Sequence, residues 1–355
     1  MPGLYSDQPP KSICLLRLSA IGDITHMLPV VATLKTCWPD TKITWIIGSV
    51  EHSLVKSISG IDFIVFSKKN GLSELSSLKQ KLAGRHFDLL LMMQVSLRAN
   101  LISLIINAHH KIGYDKARSR DFHNLFINHS IDGPSRVHVL DTFFQFLEKI
   151  GISDRKMDWL LKSSESDLEF SQSLVPDNPT VIINACSSAR KNNWRNWPIE
   201  SYAAVINFLS QHNYQVVLTG GPSSQEVDYS NQISATCKTK PINLVGKTSL
   251  PQLFAIMQRA LCLIAPDTGP AHMGTAADIP VIGLYASSNP ERTGPYNSQH
   301  ILVNCYPAAL EKYNHNTADN VSWGARVRHP DVMNLITVDD VIDRLTHCLG
   351  ITLGD

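Results

Sequence analysis

Short apolar runs alternate with longer amphipathic segments along most of this chain. The runs that read as strands cover residues 13–18, 43–47, 63–66 and 87–92 in the first half and 180–185, 215–219, 242–245, 261–265, 281–285 and 300–303 in the second. Near-continuous apolar strands separated by helical segments are typical of parallel sheets that are covered on both faces. The pattern therefore predicts an α/β protein built from two doubly wound, Rossmann-like domains.

The alternation is interrupted once, by a polar segment at 162–179 that is rich in Ser, Asp and Glu. The chain has 355 residues, which exceeds the ~250–300 residues at which a single hydrophobic core usually stops growing. We therefore predict domains at 1–165 and 166–355, with residues 338–349 as a closing helix. Ligands bind beyond the carboxyl ends of the strands in such domains, so the expected site is a cleft onto which both domains face.

Composition narrows the class of protein. Hydrophobic residues make up 43% of the chain and charged residues 18%, which is typical of a soluble globular enzyme. A net charge of +1 argues against nucleic acid as the main partner. Seven cysteines without a Cys-x-x-Cys pair predict neither a disulfide framework nor a zinc site and are typical of the reducing cytoplasm. Because no run approaches the ~20 apolar residues of a membrane span, any membrane contact is expected to be peripheral.

The strongest local motif is Asp-Thr-Gly-Pro-Ala-His at 267–272, between a predicted strand and a stretch of small residues. Thr268 suits the cap of a helix and Pro270 its first position, so the first-turn amides are free to attract phosphate. Asp267 and His272 flank this turn and can bind sugar hydroxyls. The motif indicates a sugar-nucleotide site, and the alternative is a capped helix in which Asp267 is a turn residue and His272 is merely packed.

The loop after the first predicted strand contains Gly22 and Asp23 and is followed by Pro29. A helix that began at Asp23 would carry Pro29 past its first turn, where the ring clashes with the carbonyl four residues earlier. We therefore expect the helix either to begin later or to kink. In both cases Asp23 lies beyond the end of a strand, where a carboxylate can act as a general base. The alternative is that Asp23 only caps the helix.

Two common nucleotide-binding signatures are missing from the sequence. Residues 245–248 read Val-Gly-Lys-Thr, but Pro241 stands where a P-loop needs its first glycine. No Asp-x-Asp occurs, so the usual carboxylate pair that holds a metal ion on a diphosphate is absent. We therefore expect neither a metal ion nor a cofactor. Helix N-terminal amides, hydroxyls and basic side chains then have to stabilise the charge on a leaving diphosphate.

Groups of this kind follow two predicted strands of the second half. Residues 185–198 include Ser187, Ser188 and Arg195, which suit phosphate oxygens. The next strand is followed by Gly-Gly-Pro and then by Glu226, a carboxylate that suits ribose hydroxyls. The alternatives are a solvated basic turn for the first loop and a partner of the helix dipole for Glu226.

Together these stretches resemble glycosyltransferase family 9, the lipopolysaccharide heptosyltransferases. The resemblance covers most of residues 12–305 and is carried by 19–23 with Pro29, Ser187 and Ser188, 195–198, 220–222 and 267–272. It implies the glycosyltransferase-B (GT-B) fold, in which two Rossmann-like domains face each other across a cleft. It also implies metal-independent, inverting transfer of heptose from ADP-heptose to the inner core, either Kdo or heptose, of a lipid A-linked acceptor.

The resemblance assigns roles to individual residues. Asp23 is implied as the catalytic base. The implied donor-binding residues are Ser187, Ser188, Arg195, Glu226, Thr248, Asp267, Thr268, Gly269 and His272. Arg195 stands where the family often has lysine, which keeps the charge but changes the geometry of its contacts. The first domain is then expected to bind the acceptor and the second the nucleotide sugar.

An acceptor with phosphate or ulosonic-acid groups suits a cationic region of the first half. The acceptor-binding candidates there are Arg98, Lys116, Arg118 and Arg120, and by resemblance Arg120 is the first choice. The alternative is an ordinary solvated face around the loop at 114–122. The expected location is the cytoplasm, with peripheral contact at the cytoplasmic face of the inner membrane.

Two further functions are compatible with these motifs. A sugar-nucleotide epimerase of the same architecture would convert the donor without an acceptor. A non-catalytic sugar-nucleotide binding protein would bind ADP and turn nothing over, although a carboxylate such as Asp23 has no evident use in it. The sequence leaves open whether the acceptor sugar is Kdo or heptose.

Overall fold

The computed structural model of the protein describes residues 3–67, 71–175, 178–187 and 193–352. The chain divides into two compact units, Met1–Lys162 and Ser163–Asp355. The sequence pattern placed the division at 165/166, three residues further along. Within the polar segment at 162–179 a helix forms at Glu165–Leu174, where the Ser164 side chain caps the first turn by accepting from the backbone N–H of Asp167.

In its described residues the first unit contains one parallel six-stranded sheet. Its strands are β1 (Ser12–Leu16), β2 (Lys42–Gly48), β3 (Ile61–Phe66), β4 (Phe87–Met92), β5 (Ala108–Gly113) and β6 (His129–Ser130), in the spatial order β3-β2-β1-β4-β5-β6. Its helices are α1 (Ile21–Cys37), α2 (Ser49–Val55), α3 (Gly71–Lys81), α4 (Leu97–Ser103) and α5 (Val139–Ile150). This strand order is that of a Rossmann fold.

The central strands of this sheet are buried on both faces, as parallel strands covered by helices should be. All residues of β1 from Ile13 onward are fully buried, and so are Leu89 to Met92 on β4. Trp45 on β2 is buried as well and donates its indole N–H to the carbonyl of Arg17 at 3.3 Å. The sheet centre is therefore a rigid support for the loops that follow β1 and β4.

Of the two alternatives drawn from Pro29, the late start of helix α1 is wrong. The helix begins at Ile21, two residues before Asp23, and contains Pro29 in its interior instead of beginning later. Proline at this position removes one backbone hydrogen bond to the previous turn. Residues Ile24 to Leu34 are all buried, so packing around the helix offsets the missing bond.

The second unit repeats the arrangement in its described residues. Its strands are β7 (Thr180–Asn184), β8 (Gln215–Thr219), β9 (Ile242–Asn243), β10 (Cys262–Pro266), β11 (Val281–Tyr285) and β12 (Val303–Asn304), in the order β12-β11-β10-β7-β8-β9, and all neighbouring strands are parallel. Its helices are α6 (Glu165–Leu174), α7 (Ile199–Gln211), α8 (Ser224–Thr236), α9 (Leu250–Met257), α10 (Gly269–Ala276), α11 (Pro290–Thr293), α12 (Tyr306–Asn314) and α13 (Val338–Leu349). The prediction of two doubly wound α/β domains is confirmed.

Some elements differ from the sequence pattern. Of the strand predicted at 300–303, the first two residues belong to a 3-10 helix, Tyr296–Ile301, and strand β12 begins only at Val303. Strands β5 and β6 were not predicted, because Ala108 at the start of β5 is followed by the polar run His109, His110 and Lys111, and β6 has two residues only. Over the residues that the structure describes, no helix is both long enough and apolar enough to cross a membrane.

Candidate active site

The carboxyl edge of each sheet collects the residues singled out from the sequence. In the first unit β1 pairs in parallel with β4, and β4 with β5, so the loops that follow these strands leave from the same edge. In the second unit the same holds for β7, β8, β10 and β11. Both edges are where a doubly wound fold binds its ligands.

Asp23 lies in the first turn of α1, directly after the loop that follows β1. Its Oδ2 accepts a hydrogen bond from the backbone N–H of Ala20 at 3.2 Å, which caps the helix, and it also forms an ion pair with Arg17. The Asp23 side chain remains 31% exposed. The carboxylate is therefore held in place and is still open to a ligand on one side.

Arg17 fixes that carboxylate and was not singled out from the sequence. Its side chain is only 11% exposed, and its guanidinium donates to the carbonyls of Ser19, at 2.8 Å, and Met93. The guanidinium also lies over the ring of Phe143, 5.3 Å from the centroid. The signal was present in the sequence, because a charged residue within the apolar run 13–18 has to find buried partners.

The motif at 267–272 forms the turn from β10 into α10. Thr268 is the N-cap residue, Gly269 the first residue of the helix and Pro270 the second, so the backbone amides of the first turn have no partner inside the helix. The hydroxyl of Thr268 does not cap the helix and is buried without a hydrogen-bond partner among the described residues. Amides at a helix N-terminus beside such a hydroxyl suit an anion.

Asp267 lies beside this turn with its side chain 9% exposed, and two arginines converge on it. Nη1 of Arg195 donates to the backbone carbonyl of Asp267 at 2.5 Å and lies 3.3 Å from its Oδ2. Nη2 of Arg326 lies 3.7 Å from the same Oδ2. Two guanidinium groups against one carboxylate leave a net positive charge beside the N-terminus of α10.

Arg326 was not predicted, since it lies in the stretch 314–328 where the hydrophobic pattern weakens. The chain there forms an antiparallel bridge between Ser288 and Arg326, directly after β11. Val327 is buried, its N–H donates to the Ser287 carbonyl and its own carbonyl accepts from the Ser287 hydroxyl, both at 2.9 Å. This bridge holds Arg326 at the carboxyl edge of the second sheet. In the sequence, the only indication of the bridge was the alternation of polar and apolar residues in Arg-Val-Arg at 326–328.

The loop after β7 is stabilised by side-chain amides. The Ser187 hydroxyl donates to Oδ1 of Asn193 at 2.6 Å, and its backbone N–H donates to Oδ1 of Asn196 at 3.1 Å. Oδ1 of Asn193 also accepts from the backbone N–H of Arg195. Ser187 and Arg195 are thus fixed in one loop, whereas the predicted Ser188 lies outside the described residues.

Glu226 is engaged by its own loop. Its Oε2 accepts from the backbone N–H of Gly221 at 2.6 Å, and its Oε1 accepts from the Ser223 hydroxyl at 3.1 Å. A Cβ at Gly221 would lie 2.9 Å from Oε1, so the carboxylate packs directly on the glycine backbone. Glu226 therefore holds the Gly-Gly turn in place through these contacts.

Thr248 is half-buried. It lies in the short loop between Gly246, which has φ +75°, and α9.

The remaining predicted residues fall into two groups. His272 is buried in α10, within one turn of Thr268. Arg98, Lys116 and Arg120 are exposed in the first unit. Arg118 is different, since its side chain is only 10% exposed. Its Nη2 donates to Oδ2 of Asp115 at 2.5 Å, and its Nη1 donates to Oε1 of Gln145. These contacts give Arg118 a role in holding the loop after β5.

Comparison with known proteins gives a consistent result. Residues 75–321 match the model of glycosyltransferase family 9 (heptosyltransferase). The lipopolysaccharide core heptosyltransferase OpsX of Haemophilus influenzae is 38% identical over 95% of this chain and 96% of its own length. Among solved structures, the family 9 glycosyltransferase of Veillonella parvula has a TM-score of 0.78 at 24% identity, covering 96% of this chain and 97% of that one. The heptosyltransferase WaaC of E. coli, solved with ADP, has a TM-score of 0.73 at 17% identity and covers 95% and 99%.

The fold is the one found in glycosyltransferases with two Rossmann-like domains, the GT-B fold. The chain belongs to glycosyltransferase family 9, the heptosyltransferases. The resemblance drawn from the motifs is thereby confirmed.

Proposed function

We propose that this enzyme transfers heptose from ADP-heptose to the inner core of a lipopolysaccharide precursor, onto either Kdo or an existing heptose. The observation that carries the proposal is the turn before α10, where helix amides, a buried hydroxyl and two guanidinium groups lie together. This set suits a diphosphate. Its relative OpsX is a lipopolysaccharide core heptosyltransferase, which supports lipopolysaccharide core as the acceptor.

The second unit is proposed to bind the donor. The amides of the first turn of α10 and the Thr268 hydroxyl bind phosphate oxygens, while Asp267 and His272 contact the sugar or the diphosphate. Arg195 and Arg326 stabilise the negative charge that grows on ADP as it leaves, which is the task of a metal ion in other transferases. Ser187, Ser188, Thr248, Gly269 and Glu226 complete the proposed donor site, and no metal ion or other cofactor takes part.

The first unit is proposed to supply the base and to bind the acceptor. Asp23 removes the proton from an acceptor hydroxyl as that oxygen attacks the anomeric carbon, and the bond from this carbon to the diphosphate breaks on the opposite face. The configuration at the anomeric carbon is therefore inverted. The ion pair with Arg17 and the bond from Ala20 hold the carboxylate in one orientation. Pre-orientation of the base lowers the entropic cost of the reaction.

The acceptor is proposed to be anionic and lipid-linked. Arg98 on α4 and Lys116 and Arg120 on the loop after β5 are exposed cations, which suits phosphate or ulosonic-acid groups. Arg118 supports them by holding the loop. With lipid A as the anchor of its acceptor, the enzyme works at the cytoplasmic face of the inner membrane as a peripheral protein.

Product analysis tests this function. The enzyme is incubated with ADP-heptose and a Kdo-lipid A acceptor, or one already carrying heptose, and the acceptor is examined by mass spectrometry. A mass gain of one heptose on one acceptor is expected, and NMR of the new linkage should show the anomeric configuration opposite to that of the donor. Conversion of the donor in the absence of acceptor would instead identify an epimerase. Donor binding without any product would identify a binding protein.

A further inference from the structure

Exposed apolar side chains are concentrated in one part of the first unit. Nine large hydrophobic residues are exposed among the described residues, and five of them belong to α4, to the residue that caps its C-terminus and to the loop that follows β5. These five are Leu97 (56% exposed), Leu101 (45%), Leu104 (63%), Phe122 (76%) and Leu125 (73%). We call this set the leucine–phenylalanine surface. The other four are scattered along the chain.

The three leucines form a stripe along α4. Their spacing of four and three residues places Leu97, Leu101 and Leu104 on one face of the helix. The opposite face carries Ala99 and Ile102, which are fully buried in the core of the unit. Helix α4 therefore exposes an apolar stripe although its opposite face is already buried in the core, which is unusual for a helix that contacts only water on its exposed side.

A buried polar anchor holds the loop against this helix. Asn100 of α4 is fully buried, donates to the carbonyl of Asp121 at 2.9 Å, and its Oδ1 lies 2.8 Å from Nδ1 of His123. Between these contacts Phe122 has φ +58°, in the left-handed region that a bulky side chain rarely adopts. The anchor therefore keeps an aromatic side chain exposed beside the leucine stripe at a cost in backbone strain, a combination typical of binding sites.

Positive charge surrounds the apolar side chains. Residues 95–126 contain five Lys or Arg and two Asp, a net charge of +3, whereas the whole chain carries +1. Arg98 lies next to Leu97 on α4, and Lys116 and Arg120 are exposed in the loop. Of the two acids, Asp115 is paired with Arg118, and Asp121 lies 3.7 Å from Arg120.

We propose that the leucine–phenylalanine surface docks this enzyme on an anionic lipid bilayer. An apolar helix face bordered by Lys and Arg is the pattern of segments that insert their apolar side chains at the boundary between headgroups and acyl chains. The surrounding cations complement the negative charge of the headgroups. This inference rests on the proposed function, because a lipid-linked acceptor requires the enzyme to work at a bilayer. It adds the residues that make the contact.

The surface lies beside the proposed catalytic edge of the first unit. Helix α4 begins just after β4, and the 114–126 loop follows β5. Both start at the carboxyl edge of the sheet, where the loop after β1 leads to Asp23. A bilayer bound to this surface would therefore present its headgroups close to Arg98 and Arg120.

Sedimentation with vesicles tests the proposal. The full-length protein is mixed with vesicles of phosphatidylethanolamine and phosphatidylglycerol, and the bound fraction is measured against lipid concentration. Leu101→Gln keeps a good helix former, and Phe122→Asn suits the left-handed backbone, so both variants should fold. Each is expected to weaken binding by about fivefold to tenfold, because each removes one inserted apolar side chain. Leu168→Gln, the same change at an exposed position of α6, should bind like the wild type.

Four results would overturn the docking surface. The wild type could fail to bind these vesicles, or it could bind them no better than vesicles of phosphatidylcholine alone. Both variants could bind like the wild type. Sedimentation velocity could show a dimer that Leu101→Gln and Phe122→Asn abolish, which would assign the surface to a second copy of the chain.

A second assay separates this proposal from the function. ADP release is measured with a deacylated, water-soluble acceptor, and Leu101→Gln and Phe122→Asn are expected to match the wild type there. A wild type that binds the vesicles but releases no ADP with any acceptor would contradict the proposed function and leave the docking surface supported.

Discussion

Asp23 has two structural contacts besides its proposed chemistry. It caps α1 through Ala20 and pairs with the buried Arg17. A purely structural role for the carboxylate would show as a loss of stability, whereas a general base would show as a loss of turnover. The two roles are therefore separable by measuring both quantities on one variant.

We expect Asp23→Asn to lower kcat by about 10²-fold or more, because the amide cannot accept the proton of the acceptor hydroxyl. The Kd for ADP, measured by calorimetry, should stay at the wild-type value because the donor is proposed to bind the other unit. A drop in Tm is expected as well, because the variant loses the ion pair with the buried Arg17 and weakens the cap. An unchanged kcat with a lowered Tm would make Asp23 a structural residue only.

Arg326 is the residue whose proposed role depends most on the structure. We expect Arg326→Gln to weaken ADP binding by about tenfold. This is the lower end of the range of affinity losses for a charge-assisted hydrogen bond, because the Arg326 side chain is partly solvated. Its exposed neighbour Arg328 provides a matched control, since Arg328→Gln removes the same charge two residues away. Equal Kd values for the two variants in ADP titrations would argue against a direct contact from Arg326.

At the scale of elements, the loop after β5 depends on a neutral histidine. His123 is buried, its Nε2 accepts from the backbone N–H of Tyr114 at 3.1 Å, and its Nδ1 lies 2.8 Å from the Asn100 oxygen. Only the neutral ring with its proton on Nδ1 satisfies both contacts. Burial also lowers the pKa of His123 below its usual value.

This geometry predicts that the 114–126 loop loosens in acid. The unfolded loop takes up a proton near the ordinary pKa of about 6.5, while the folded loop stays neutral to lower pH. The contribution of His123 to stability is therefore complete above this pH and falls as the pH drops toward the lowered pKa. Amide exchange of residues 114–126, corrected for the intrinsic pH dependence, should become faster in this window.

Gly113→Ala is the matching test at neutral pH, because a Cβ there would collide with the His123 ring. The variant should show the loosened loop without acid. The role of His123 would be contradicted if the corrected exchange rate of the loop in the wild type did not change with pH.

The sequence predicted most elements of both sheets, because β1, β4, β7, β10 and β11 are apolar along most of their length, as buried parallel strands are. Strand β5 was missed because its residues 109–111 are polar, and the late start considered for α1 was wrong because burial offsets the proline. The motif residues were found by their local turn chemistry. Arg17 and Arg326 were not found, because each owes its position to a contact made by residues distant in sequence.

At the scale of the whole molecule, the two units share one topology but have different proposed tasks. In each, the strand order is that of the Rossmann fold, with the first strand next to the fourth. The described carboxyl edge of the first unit contains Asp23 and exposed cations, and that of the second contains the α10 turn with Arg195. The division predicts an acceptor site on one unit and a donor site on the other.

We expect transfer to proceed without a divalent metal ion. Two guanidinium groups and the N-terminus of α10 already supply positive charge for the leaving diphosphate. Excess EDTA should therefore leave the rate of ADP release unchanged. A loss of activity that Mg²⁺ restores would mean that the arginines do not suffice.

Acceptor-dependent release of ADP from ADP-heptose is the most direct test of the central claim. The wild type and Asp23→Asn are compared with and without a lipid A acceptor carrying Kdo, and again with a heptosylated one. The account predicts release by the wild type only when one of these acceptors is present, and its near-complete loss in the variant. Release at the same rate without acceptor, or in Asp23→Asn, would contradict it.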